Sequence, residues 1–180
     1  KDMSENPKQS PFLDRLIEDV ERLDGQVQKT LELARVEGGG SLHQESLPLK
    51  SYLQSRVFPL YTAPKLNLSL EMSDDVVSAD SSAITIIFRN LIDNAIKYSS
   101  SLPAKLVIRS GFLEGGLRVD VIHENSIVHS EPKFLGKLFY RGTQSQGAGV
   151  GLYLVKTLME KMSGKASFQS LNQSDVKSVY

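Results

Sequence analysis

No cysteine occurs among the 180 residues, which excludes a disulfide scaffold and any Cys-ligated zinc site. An excess of either charge is also missing, since 21 Lys and Arg balance 21 Asp and Glu. A neutral chain with a pI near 7.0 argues against a nucleic-acid partner gripped through a broad basic face, while a local phosphate site remains open. No apolar run approaches the roughly 20 residues that span a bilayer, and the start Lys1-Asp2 is unlike a secretory signal. Any membrane attachment is therefore expected only through regions outside this segment. What is present is 40% hydrophobic residues, the composition of a globular protein. Because the chain opens with Lys and ends on the strand-like Val179-Tyr180, it reads as a segment of a longer protein.

Leu13, Leu16, Ile17, Val20, Leu23, Val27, Leu31 and Ala34 step by three and four, with charged residues between them. This predicts one long helix over residues 11–37 with a coiled-coil-like seam. Ser10 is placed to cap it, Pro11 suits its first position, and Gly38-Gly39-Gly40 ends it. Such a helix is roughly 40 Å long at 1.5 Å per residue, and it cannot bury its single stripe alone. The expectation is a homodimer through this N-terminal helix. The plainer alternative is a helix folded back on its own domain. The glycine run divides the chain into 1–40 and 41–180.

Beyond it the periodicity is mixed. Residues 45–49 read as a short strand, 50–60 as an amphipathic helix, and 65–72 as an alternating strand. A helix follows over 82–99. Residues 105–112 and 117–123 alternate across Glu114-Gly115-Gly116 as a hairpin, and 150–162 form a third helix closed by Ser163-Gly164. Strands are expected at 165–171 and 176–180. The interleaving predicts an α+β fold, a two-layer α/β sandwich with a mixed sheet and three helices, preceded by the long coiled-coil-like helix.

Two motifs carry chemistry. Asn90, Asn94 and Lys97 fall at i, i+4 and i+7 and share one side of a helix. Any one of them alone would read as a solvated surface residue. Together they suit a metal-bound polyphosphate, because an amide oxygen is a hard ligand for Mg²⁺ and an ammonium neutralises phosphate. The second motif, Gly147-Ala148-Gly149-Val150-Gly151-Leu152, runs into a helix whose N-terminus offers free N–H groups to an anion. No strand leads into it and no Gly-Lys-Ser/Thr follows, so it is neither a Rossmann fingerprint nor a Walker loop.

Asn90 to Tyr98, Phe139-Tyr140-Arg141-Gly142 and Gly147 to Leu152, in this order and spacing, resemble the catalytic ATP-binding domain of bacterial sensor histidine kinases. That domain belongs to the superfamily containing gyrase, the heat-shock chaperone ATPase and MutL. The long helix, ending Leu31-Glu32-Leu33-Ala34-Arg35-Val36-Glu37, resembles the second helix of the dimerisation and phosphotransfer domain. The resemblance implies ATP and Mg²⁺ as cofactors, with Asn94 as the metal ligand and Asn90 beside it. It implies phosphate contact from Lys97, an adenine border from Tyr98, and a turn of Gly147, Gly149, Gly151 and Leu152 against the triphosphate. Asn125 and Arg141 join the nucleotide-binding set, and Asp80 matches a family aspartate read as structural. The implied function is Mg-ATP binding for phosphoryl transfer to a histidine outside this segment. The implied setting is cytoplasmic, including the cytoplasmic part of a membrane-anchored sensor, with a response regulator as partner.

The chain also departs from the family pattern. Where the family has an Asp-x-Gly-x-Gly box, residues 122–127 read Ile-His-Glu-Asn-Ser-Ile, leaving Glu124 or Asn125 as the adenine acceptor. The first aromatic of the two-phenylalanine box is missing near Gly136 or Leu138, and the lid between Arg141 and Gly147 holds no Lys or Arg. The three histidines, His43, His123 and His129, lack a phosphoacceptor context, so no catalytic residue is assigned. These departures favour a second reading, a nucleotide-free domain of the same fold acting as a dimerising regulatory scaffold. A stand-alone ATPase is disfavoured by the phosphotransfer-like helix.

Overall fold

The spacing of Ile84, Ile87, Phe88, Ile92 and Ala95 winds them into one buried face of a helix, α3, Ser81–Tyr98. The computed structural model describes residues 11–61, 65–113, 115–124, 134–140 and 149–169. Asp80 leaves the helical region, and its Oδ1 accepts the Ala83 N–H at 2.8 Å, which starts the helix. Its Oδ2 also accepts the His43 N–H at 2.7 Å, so this carboxylate is structural. Ile92 and Ala95 have no exposed surface. Truncating Ile92 to Ala would cost about 2–5 kcal/mol.

Period-two alternation produces the strands. Strand β1 is Glu45–Pro48, β2 is Leu66–Glu71, β3 is Val76–Ala79, β4 is Ala104–Leu113 and β5 is Gly116–His123. β2 runs parallel to β4 from Leu66↔Ala104 to Glu71↔Arg109, and β4 runs antiparallel to β5 across the hairpin. β1 and β3 form a separate antiparallel pair. Alternate residues Leu106 and Ile108 enter the core with the α3 face, joined by Val155 and Leu158 of α4, Gly151–Lys161. This is the α+β arrangement of a mixed sheet against helices that the pattern predicts.

Residues 50–60 depart from the single amphipathic helix expected there. Helix α2 covers only Leu49–Tyr52, followed by a π turn at Leu53–Val57 and a 3-10 turn at Phe58–Leu60. Pro59 has no N–H for the carbonyl four residues back, and in α geometry its ring would strike that carbonyl. The widened turn before it keeps Leu53 and Val57 fully buried. Asp74 braces the start of α2 by accepting the Ser51 N–H at 2.9 Å and the Ser51 hydroxyl.

Strand β3 lies outside the expected strands, and residues 165–169, within the strand expected over 165–171, join no ladder among the described residues. Ala166 and Phe168 nevertheless pack against the core, docking through side chains. Ser10, residues 170–171 and the strand expected at 176–180 lie outside the described residues. The end of α4 is a Schellman-type cap with Ser163 in the left-handed position at φ 64°, and the Gly164 N–H reaches the Met159 carbonyl at 2.8 Å.

The long helix, α1, spans Pro11–Glu37. It ends with the Gly38 N–H on the Ala34 carbonyl and Gly39 at φ +83°. Its stripe is not folded onto the domain: Leu13, Leu16, Ile17, Val20, Leu23, Val27 and Leu31 are 47–58% exposed. Among the described residues, the contacts of α1 with the domain lie in its last turns. Leu33 is buried with Val150 and Leu154, with Val36 packed beside them, and the Tyr153 hydroxyl donates to Glu37 Oε1 at 2.9 Å. Ala34, read as the end of the seam, is exposed, because the face that docks is the one carrying Leu33 and Val36. No helix among the described residues is long and apolar enough to cross a membrane.

Candidate functional site

Asn90 is the one buried polar residue among the described residues, only 4% exposed. Its Nδ2 donates to the Ile86 carbonyl at 2.9 Å, an i to i−4 contact along α3. Its Oδ1 has no hydrogen-bond partner among the described residues. A buried amide oxygen left in this state costs about 1–3 kcal/mol, so an unused acceptor here points to a ligand or water. That oxygen is directed at the start of α4. An ideal β-carbon on Gly151 would lie 2.8 Å from it.

The other residues of this motif follow along α3. Asn94 is half-buried, Lys97 is exposed, and the Lys97 ammonium lies 5.1 Å from the Tyr98 ring centroid. By helical spacing they extend the Asn90 side toward the C-terminal end of the helix. Asp93 belongs to a different contact. Its Oδ1 accepts the Tyr61 hydroxyl at 2.9 Å, pinning the helix to the 3-10 turn. Burial, and then the Asp93 charge, raise the Tyr61 phenol well above its ordinary range, so it stays a donor.

The glycine turn meets the 134–140 segment. Gly149 has φ +69°, and a β-carbon there would strike the Phe139 carbonyl carbon and the Tyr140 oxygen at 2.8 Å. The Phe139 N–H donates to the Gly149 carbonyl at 3.1 Å, and Phe139 itself holds φ 59°. The Phe134 and Tyr140 rings meet at a 39° tilt with centroids 5.4 Å apart. Among the described residues no side chain caps the head of α4 at Val150, and the first intrahelical bond is Leu154 N–H to Val150 carbonyl at 2.9 Å. The N–H groups of Gly151, Leu152 and Tyr153 thus have no helical acceptor, and no acidic residue stands in that first turn. This is an anion-attracting helix end beside a buried amide oxygen.

The structure therefore brings Asn90 to Gly151 and sets Gly149 against Phe139. Gly147, Asn125 and Arg141 lie outside the described residues. Glu124, the other candidate adenine acceptor, is exposed and pairs with Lys105 at 3.4 Å on the surface. His43 is exposed, and His123 places Nδ1 3.2 Å from the Glu124 carbonyl at the end of β5. No cluster of three or more His, Cys, Asp or Glu suited to a metal occurs among the described residues. Any metal here would be held by amide oxygen and by ligand oxygens, a set that suits Mg²⁺. Sequence reasoning missed the Tyr61–Asp93 bond. Its only signal was Asp93, an acid set between two asparagines.

Residues 79–178 match the family described as histidine kinase-, DNA gyrase B- and HSP90-like ATPase. The chain is 30% identical over 169 residues to the sensor histidine kinase HprS of Escherichia coli K12, covering 89% of this chain and 36% of HprS. It is 32% identical to the sensor protein BceS of Halalkalibacterium halodurans over 67% of this chain and 35% of BceS. The chain thus spans about a third of the length of these relatives. Among solved structures, the histidine kinase AdeS of Acinetobacter baumannii superposes with TM-score 0.69 at 25% identity, over 92% of this chain and 80% of AdeS. The full-length ShkA structure, in complex with AMPPNP, shares the fold with TM-score 0.60 at 21% identity, over 90% of this chain and 36% of ShkA.

Proposed function

The chain belongs to the family of histidine kinase-, DNA gyrase B- and HSP90-like ATPases, and on that premise we propose that residues 41–180 are the ATP-binding catalytic module of a sensor histidine kinase. Residues 1–40 contribute the second helix of its dimerisation and phosphotransfer region. The observation that carries this reading is the buried Oδ1 of Asn90, without a hydrogen-bond partner among the described residues, facing the N-terminus of α4.

In this reading the triphosphate lies between α3 and the glycine turn. The N–H groups of Gly151 and Leu152 receive phosphate oxygens, Gly147 and Gly149 shape the turn, and Lys97 and Arg141 add positive charge. Tyr98 and Asn125 border the adenine. Asn94 would hold Mg²⁺, which when bound neutralises and orients the phosphate oxygens. The work of the chain is positioning and charge stabilisation, with the γ-phosphoryl passing to a histidine outside this segment. In the full-length protein, the partners are a second copy through α1 and a response regulator that takes the phosphoryl group onward. The place of action is cytoplasmic.

The nucleotide-free scaffold keeps one observation in its favour: Glu124 is committed to a surface ion pair with Lys105. Calorimetric titration with a non-hydrolysable ATP analogue separates the two readings. The kinase reading expects Mg²⁺-dependent binding whose metal dependence is lost in Asn94→Ala. Lys97→Ala should weaken triphosphate about tenfold more than adenosine. No heat of binding with or without Mg²⁺ would establish the scaffold.

A further inference from the structure

Gly136, which with Leu138 lies where the resemblance would put the first aromatic, is a buried glycine at φ +79°. The space beside it is filled. An ideal β-carbon on Gly136 would stand 2.7 Å from Cε2 and 3.3 Å from Cδ2 of Phe168, and 3.7 Å from the Leu152 carbonyl. The ring comes from a segment some thirty residues downstream that joins no sheet ladder, and it also packs against the main core. We infer that Phe168 is a positioning residue of the anion site: its ring fills the space beside Gly136 and holds the 134–140 turn against Gly149.

The contacts run in sequence. Phe168 covers Gly136, and the turn closes through the Lys137 N–H on the Phe134 carbonyl at 3.1 Å and the Tyr140 N–H on the Lys137 carbonyl at 3.2 Å. That closure presents the Phe139 N–H to the Gly149 carbonyl and lays the 139–140 backbone where a β-carbon on Gly149 would be. Phe139 holds a left-handed conformation that a non-glycine residue keeps only when its surroundings over-determine it. Leu138 anchors one side of the turn in the cluster of Leu33, Val150 and Leu154, and Phe168 anchors the other. Removing the ring leaves a void that Gly136 has no side chain to fill, so the turn relaxes away from Gly149. The N–H groups at the head of α4 then lose their fixed aim. The inference rests on the proposed phosphate role of that turn, but its backbone part does not.

The test uses Phe168→Ala and the milder Phe168→Leu in the full chain, with amide exchange by NMR and nucleotide titration. Phe168→Ala should speed exchange of the Phe139 amide by about tenfold or more while the Ile92 amide in α3 is unchanged, with Phe168→Leu restoring most of the protection. Triphosphate analogue affinity should fall about tenfold and adenosine affinity should hold. Unchanged Phe139 exchange would overturn the inference. Equal acceleration at Phe139 and Ile92 would also overturn it, reducing Phe168 to an ordinary core residue. Should the unaltered chain bind no nucleotide, the proposed function fails by itself, and the Phe139 exchange alone decides the role of Phe168. Should Phe168→Ala fail to fold, the Phe168→Leu comparison gives the same decision with a smaller change at Phe139.

Discussion

The buried Oδ1 of Asn90 and the α-carbon of Gly151 approach so closely that a β-carbon on Gly151 would lie 2.8 Å from the oxygen. The two motifs, sixty residues apart in the chain, thus meet at a point where only glycine fits. Gly151→Ala must turn the Asn90 amide and break its 2.9 Å bond to the Ile86 carbonyl. The expected cost is about 1–3 kcal/mol in urea unfolding, and less when made in an Asn90→Ala background. Equal costs in both backgrounds would show that the oxygen is not the obstacle.

Adenine recognition is expected to bypass Glu124. Its carboxylate is exposed and paired with Lys105, a contact worth about 0–1 kcal/mol to the fold. Glu124→Ala should leave ATP affinity within about twofold, whereas Asn125→Ala should weaken ATP about tenfold and spare a purine lacking the 6-amino group. A large loss from Glu124→Ala would reassign the acceptor.

Helix α3 was legible to within one residue because its apolar face is long and its cap, Asp80, is next to it in sequence. β3 was not. It is four residues long with Val76 65% exposed, and its partner β1 lies about thirty residues upstream, so no local pattern marks it. The amphipathic pattern over 50–60 marked a helical stretch but not the π turn that Pro59 imposes. For the candidate site, spacing marked Asn90, Asn94 and the glycine turn as motifs, while the approach of Asn90 to Gly151 is visible only in the fold. The Phe168 contact was not legible either, since it joins distant segments through a ring and a missing side chain. That the α1 stripe stays off the domain agrees with the expectation drawn from its periodicity, while the docking of Leu33 was hidden because that residue lies off the stripe.

Acid should loosen the joint between α2 and β3. The Ser51 hydroxyl, and then the Ser51 N–H, hold the Asp74 carboxyl below its usual range. A lowered folded value gives a contribution that is complete above the unfolded pKa of about 4 and is lost as pH falls through the folded value. Unfolding free energy measured from pH 6 down to 2 should therefore drop more steeply in the unaltered chain than in Asp74→Asn. Ser51→Ala should fall between them. Identical acid slopes for the chain and Asp74→Asn would remove Asp74 from the account.

The exposed stripe of α1 should be the dimer contact. Leu16→Glu with Leu23→Glu places charge on residues that are 49% and 57% exposed in the single chain, so folding of the domain should be unaffected. Light scattering should then report a monomer where the unaltered chain is dimeric. A monomeric unaltered chain, or a dimer that survives both charges, would place the contact elsewhere.

The head of α4 and the Asn90 side of α3 should together receive one Mg-bound nucleoside triphosphate. NMR titration of the labelled chain with a non-hydrolysable ATP analogue and Mg²⁺ reads this directly. Saturable shifts are expected at the amides of Gly149, Gly151 and Leu152 and at the side-chain amides of Asn90 and Asn94, with the Asn94 response requiring Mg²⁺. An unchanged spectrum, or shifts that leave both the glycine turn and the two asparagines untouched, would contradict it.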